Sequence, residues 1–388
     1  TSAEAAAFVR DLSGTGDLLA SFDCDEDGPQ ESGSGGSSSA TTAPVASSKG
    51  DVQRRLLTYE RFRQFVEKST RFTRELRKVG EMTVYREIFS YIKGSAEAME
   101  TDSGFLSEDQ YVNMAHKVSS LPEELRPLVY ALFVEYKSKR RELFDLSDLI
   151  FHLIRAKRNG KLAGTRIDRF VVDEVQDLML AEVKLLLELS SDKNGLFLCG
   201  DTAQTISRGV GFRFADVKTL FHGLDPSVVT PALDHLCLNY RTHAGIVECA
   251  ACVVQLLLER FPTAVDRLPA ERGHFAGPQP ALMHETDSAA LVESMLAADE
   301  VGLMEMGANQ VVLVRQEACK GRLPAELRAG LTLTIEESKG LEFDDVCLYN
   351  FVSDSPVTEV GKSASRELWQ VLSGTADFDL HKHLRDFV

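Results

Sequence analysis

The chain has 388 residues, 44% of them apolar and 26% charged, and its 43 Lys and Arg against 59 Asp and Glu give a net charge of −16. At roughly 150 residues per domain this length predicts two or three domains with sizeable cores. The mix is that of a globular protein, which excludes a wholly disordered chain. No apolar run reaches the ~18 residues of a membrane-spanning helix, and the charge balance excludes a globally basic nucleic-acid binder while leaving room for a local basic groove.

Seven cysteines, an odd number without framework spacing, read as reduced thiols in an intracellular compartment, nuclear or cytoplasmic. The chain opens on Thr1 with no signal peptide after it, so it is expected to be part of a larger polypeptide. Residues 1–50 begin with an amphipathic piece, Ala3 to Phe22, and end in a Gly/Ser/Ala/Thr stretch, Gly28 to Gly50. That stretch has too little to bury to offset chain entropy and reads as a linker.

Residues 51–165 read as a helical subdomain. Phe62, Phe65, Val66 and Phe72 recur at largely helical spacing; so do Leu125, Leu128, Val129, Leu132 and Phe133, and then Leu143, Leu146, Leu149, Ile150 and Leu153. Residues 51–170 carry a net charge of +5 and residues 171–388 one of −15. Basic clusters lie at Arg71, Arg74, Arg77 and Lys78 and at Arg155, Lys157, Arg158 and Lys161. Phosphate contact would use them, but charge alone favours a solvated helix face.

After Arg166 strands and helices alternate. Arg169 to Val172, Gly195 to Cys199, Gln310 to Val314, Leu331 to Ile335 and Val346 to Phe351 are β-branched and apolar runs, with helical patterns at Leu178 to Leu189 and Ala244 to Arg260. This is an α/β pattern with a mostly parallel sheet, its short strands expected to be buried on both faces.

Four stretches carry chemistry. Asp173-Glu174-Val175-Gln176-Asp177 sets two carboxylates at a strand end, where ligands bind in parallel α/β sheets. Asp173 suits Mg²⁺ held through water and Glu174 an attacking water; an N-cap at a strand-to-helix turn explains the pattern equally well. Gly200-Asp201-Thr202-Ala203-Gln204 ends the next strand in the same way. In Leu238-Asn239-Tyr240-Arg241-Thr242 the arginine suits a phosphoryl group and the tyrosine a flat base. In Thr334 to Phe343 a strand runs into Lys339-Gly340, with Glu342 placed to accept a hydroxyl. Each has a plain structural explanation when taken alone. Cys249 and Cys252 form a CxxC without a second pair, so they read as small core residues rather than zinc ligands.

In this order, the four stretches resemble motifs II to V of superfamily 1 helicases of the UvrD/Rep type. GDTAQTISRGVGFRF, Gly277 to Pro280 and KGLEFDDVCLYNF also resemble the UvrD-like module of the very large tetratricopeptide-and-ankyrin-repeat proteins. The resemblance covers about Arg166 to Phe351. It implies parts of two RecA-like P-loop NTPase domains, residues 166–228 and 229–388, with the helical block as an insertion and ATP between the domains. It further implies ATP and Mg²⁺ as cofactors and a single-stranded nucleic acid, DNA before RNA, as partner. Residue by residue it makes Asp173 and Glu174 the Mg²⁺ and water-activating pair, Gln204 the γ-phosphate sensor and Asp201 its neighbour. Arg241 becomes the γ-phosphate arginine, Tyr240 the adenine contact, Glu342 the ribose contact, and Phe212 with Arg213 an aromatic–Arg pair against a single strand.

Three departures stand out. No GxxxxGK[ST] phosphate loop and no motif VI occur in the sequence, Glu336 replaces the family's nucleic-acid-contacting His, and Ser207 to Gly211 are extra residues in motif III. The departures raise an alternative, a degenerate module acting as a nucleotide-gated scaffold.

Overall fold

The structure is a computed structural model. It describes residues 55–354 apart from 116–118, 120, 141–142, 163–165, 208, 223–226, 261–265, 268, 282–308, 329 and 352–353. The expected linker and amphipathic piece of residues 1–50 lie outside the described residues. The chain divides into two units: Thr1–Asp234 with Leu257–Arg267, and His235–Leu256 with Leu268–Val388.

In the first unit, helices α1 (Tyr59–Lys68), α2 (Arg74–Val79), α3 (Glu81–Arg86), α4 (Glu108–Val112), α5 (Arg126–Lys139) and α6 (Leu146–Arg158) form the predicted helical block. Sequence signals set their ends. The Thr73 hydroxyl accepts from Leu76 N–H to open α2, and Ser107 with Gln110 and Asp145 with Asp148 form reciprocal capping boxes on α4 and α6. The apolar run through Phe72 is split, because α1 stops at Lys68 with Ser69 extended. Helix α3 passes into a π-helical turn, Glu87–Ile92, a wide turn often found at functional positions. Phe62, Leu76, Ile88, Ile92, Leu132 and Ile154 meet in one core and are fully buried, each worth about 1.5–3 kcal/mol against exposure.

The same core takes in Met179, Ala181, Leu185 and Leu189, at and within helix α7 (Leu180–Leu189), so packing is continuous across residue 165. Polar groups buried in the block are paired, as burial demands. Lys93 bonds Asp145 and Asp148, Arg140 bonds the same two carboxylates, and Tyr136 donates to Asp145 at 3.0 Å. Glu87 accepts from Tyr111 and Ser119, and fully buried Arg126 donates to four backbone carbonyls.

Strands β1 (Phe170–Val172) and β2 (Leu196–Leu198) pair in parallel, Val171 opposite Phe197. Helices α7 and α8 (Phe214–His222) pack with the inner faces of these strands around Val175, Val183, Leu187 and Phe221. The expected burial on both faces is corrected here: Val171 is 78% exposed and Phe197 64%. Side chains alternate along a strand, and only one face of this pair is covered among the described residues.

The second unit holds β3 (Leu238–Asn239) parallel to β4 (Arg272–Gly273), with helix α9 (Ala244–Arg260) starting just after β3. It also holds a parallel sheet of order β6 (Thr332–Thr334), β5 (Gln310–Val314), β7 (Asp345–Leu348). Central β5 is buried on both faces from Val311 to Val314, as expected, whereas β7 leaves Val346 and Leu348 exposed. The fold is thus mixed α/β with small parallel sheets.

Candidate functional site

The first acidic turn leaves β1 at Asp173, which is exposed. Its Oδ1 accepts from Glu174 N–H at 2.9 Å and from the Cys199 thiol at 3.2 Å. Burial, with the Asp173 bond adding to it, pushes that thiol up to about 11, so it stays a donor. Glu174 sits in the left-handed region at φ 53°, unusual for a residue with a side chain. Such backbone costs about 1–3 kcal/mol and persists where its surroundings fix it.

Gln176 does the fixing. It is fully buried; its Nε2 donates to Glu174 Oε2 at 2.5 Å and its Oε1 accepts from Asp201 N–H at 3.0 Å. One side chain therefore ties the first acidic turn to the second. Gly200 makes room for it: a Cβ there would lie 2.2 Å from Gln176 Oε1. The close approach expected at this glycine is thus filled by Gln176. Backbone bonds from Val175 N–H to Cys199 and from Cys199 N–H to Val172 hold the two strand ends side by side.

On the second turn, Asp201 accepts from Ala203 N–H at 2.9 Å and from Gln204 Nε2 at 2.7 Å, with Gln204 exposed. Asp177 Oδ1 accepts from Ile206 and Ser207 N–H at 3.3 and 3.2 Å. Asp173, Glu174, Asp201 and Gln204 therefore share one edge of the first unit. Gln176 and Asp177, given no separate role from sequence, are what assemble it. Their signal was present as the polar Q-D pair directly after the two acids.

In the second unit Arg241 and Glu342 form an ion pair at 2.6 Å, both largely exposed. Asn239 Oδ1 accepts from Arg241 and Thr242 N–H, both at 2.9 Å, which fixes the turn before α9. Tyr240 is exposed with its ring 4.8 Å from that of His274. Glu336 is also exposed.

Other expectations are corrected. Phe212 is 4% exposed and packs in the core of the sheet-side helices, edge-on to Phe214, so it presents no face for a base. Arg213 makes a two-pronged pair with Asp216, both bonds 2.9 Å. In the second basic cluster, Arg158 is held by Glu100 and Glu188. Cys252 is exposed, so it is no core residue, while Cys249 is half-buried.

Among the described residues no three or more His, Cys, Asp or Glu gather to hold a metal, and no helix is long and apolar enough to cross a membrane. The Asp173–Glu174 pair fits a Mg²⁺ of the kind that keeps most of its waters and uses one or two carboxylates beside substrate phosphates. Nothing among the described residues forms a Gly-rich phosphate cradle of the GxxxxGK[ST] type, since the sequence lacks it.

The class these features define is that of the UvrD/REP helicases. Residues 56–224 match the family described as UvrD/REP helicase N-terminal domain, and this part of the chain belongs to it. The matched segment takes in the helical block as well as both acidic turns. The chain is 38% identical over 285 residues to TPR and ankyrin repeat-containing protein 1 of Homo sapiens, covering 70% of this chain and 10% of that protein. It is 30% identical over 181 residues to an ATP-dependent helicase/nuclease from Oenococcus oeni, covering 45% of this chain and 15% of that one. The chain thus spans a small part of each of these relatives. The family implies use of ATP and contact with nucleic acid.

Proposed function

We propose that the chain is motor machinery of a UvrD-like ATP-dependent helicase, an intracellular protein, nuclear or cytoplasmic, that moves along single-stranded nucleic acid, DNA before RNA. On this reading the two units are parts of two RecA-like domains and the helical block is an insertion in the first. The observation that carries it is the buried Gln176 bond pair linking Glu174 to the Asp201–Gln204 turn. A plain N-cap needs no such link.

ATP bound with Mg²⁺ supplies a phosphoryl group open to in-line attack by water. Asp173 would hold the metal through water, its Oδ1 already oriented by the Glu174 N–H. Glu174 takes a proton from water at its carboxylate, and Gln176 keeps that carboxylate in place. Gln204 exchanges its bond to Asp201 for one to a phosphate oxygen. Arg241 leaves Glu342 to neutralise phosphoryl charge, which releases Glu342 for a ribose hydroxyl, while Tyr240 offers its ring to the base.

The test is Glu174→Gln in the natural polypeptide that contains this chain. ATP turnover should fall by roughly 10²–10⁴-fold, with binding of a fluorescent nucleotide retained. Unchanged turnover rejects the role of Glu174. A second reading, a nucleotide-gated scaffold, is favoured by exposed Glu336 and by the Arg241–Glu342 pair, which occupies the arginine. Stimulation of turnover by single-stranded DNA or RNA decides for the motor; its absence decides for the scaffold.

A further inference from the structure

The extra residues of motif III play no part in the chemistry above, yet they are tightly engaged. Ser90, in the π-helical turn of the helical block, is 4% exposed. Its hydroxyl donates to the Gly209 carbonyl and accepts from Gly211 N–H at 3.1 Å, so both capacities are filled across 119 and 121 residues of sequence. A serine inside a regular helix usually turns its hydroxyl back to the preceding turn; here it reaches outward to the loop.

The fit on either side admits glycine alone. Gly209 has φ +80°, and a Cβ there would lie 2.4 Å from the Tyr85 ring; at Gly211 it would lie 2.5 Å from the Tyr91 hydroxyl. Between them Val210 packs against both the core of the helical block and the core of the sheet-side helices. At its other end the same loop is held by Asp177, which takes the N–H groups of Ile206 and Ser207. The turn that carries Gln204 is therefore anchored to the acidic edge on one side and to the helical block on the other.

We infer that the motif III insertion is a clasp through which the helical block positions the Gln204 turn, with Ser90 as the positioning residue. The proposal rests on the functional reading above only for what Gln204 senses. A displacement of the wide turn bearing Ser90, such as a strand bound along the helical block would produce, pulls on Gly209 and Gly211. The shift passes through Ser207 and Ile206 to Gln204, and nucleic-acid occupancy would then set how well the sensor is placed.

The test is amide hydrogen exchange in the natural polypeptide, without nucleotide, comparing wild type with Ser90→Ala. Losing both bonds should speed exchange roughly tenfold at Gly211 and also at Gln204, Ile206 and Ser207. A merely local role would move Gly211 alone, and that result, or no change at all, overturns the proposal. Gly211→Ala should reproduce the effect, and adding Tyr91→Phe should recover part of it by removing the nearest clashing atom. This pair decides the matter if Ser90→Ala loses its folded circular-dichroism spectrum.

Turnover gives a separate arm. Single-strand stimulation should fall roughly tenfold in Ser90→Ala while the unstimulated rate stays, as expected when a coupling of this size is removed. Unchanged stimulation in a variant whose Gln204 amide has loosened overturns the coupling. A wild-type polypeptide without any turnover rejects the functional reading and leaves the exchange result to decide the clasp.

Discussion

The helical block and the acidic edge of the first unit use charge in opposite ways. In the block, Lys93, Asp145, Glu87 and Arg126 are withdrawn from water and bonded to neighbours. At the edge, Asp173 and Gln204 face solvent, and the buried group is the neutral Gln176. Withdrawn charges fix one packing because parting them is costly. Open carboxylates held by a neutral strut keep bonding capacity for something that arrives from outside. A domain that only scaffolded would have little need of the second arrangement.

Substitutions can break this contrast. The largest effect should come from Lys93→Ala, which leaves Asp145 and Asp148 buried beside each other with Arg140 alone. Destabilisation of about 3–5 kcal/mol is expected, read from urea unfolding of the chain. Gln176→Ala should cost less, about 1–3 kcal/mol, since it strands the Asp201 N–H and releases Glu174. It should also abolish ATP turnover in the natural polypeptide, and intact turnover would remove Gln176 from the site.

Glu182, in α7, sharpens the comparison through pH. Burial pushes its carboxyl up to about 7 from 4.5, against the opposing bond it accepts from Met179 N–H. A carboxyl whose pKa is raised on folding contributes stability below its unfolded pKa and loses it as pH rises through the folded one. Glu182→Gln should therefore match wild type near pH 4.5 and exceed it above pH 7, in thermal melts at the two pH values. Arg158→Ala should have the smallest effect, roughly 0–1 kcal/mol by urea unfolding, because its pairs with Glu100 and Glu188 are partly exposed.

The strands and the two acidic turns were legible because alternating β-branched runs end directly in Asp173 and Asp201, and period and position both survive in a linear sequence. Gln176 was not legible as a strut: its second partner lies 25 residues away, and only the parallel pairing of β1 with β2 brings it near. Phe212 misled for a related reason. Residue type marks an aromatic as able to stack, but the direction of its ring is set by Val217 and Phe221 in a helix that follows it. The basic cluster at Arg158 misled because its acids sit 58 and 30 residues away. The exposed faces of Val171 and Phe197 were misread because apolar content does not reveal how many layers cover a sheet.

The wide turn at Glu87–Ile92 has a consequence for how this gene can change. A regular helix advances about 100° per residue. Deleting one residue inside that turn would restore ordinary winding and rotate every later side chain by about that angle against those before. Tyr85 and Tyr91, which flank Ser90 and now meet the same loop, would fall out of phase. Single-codon deletions there should be far less tolerated than point changes at the same positions.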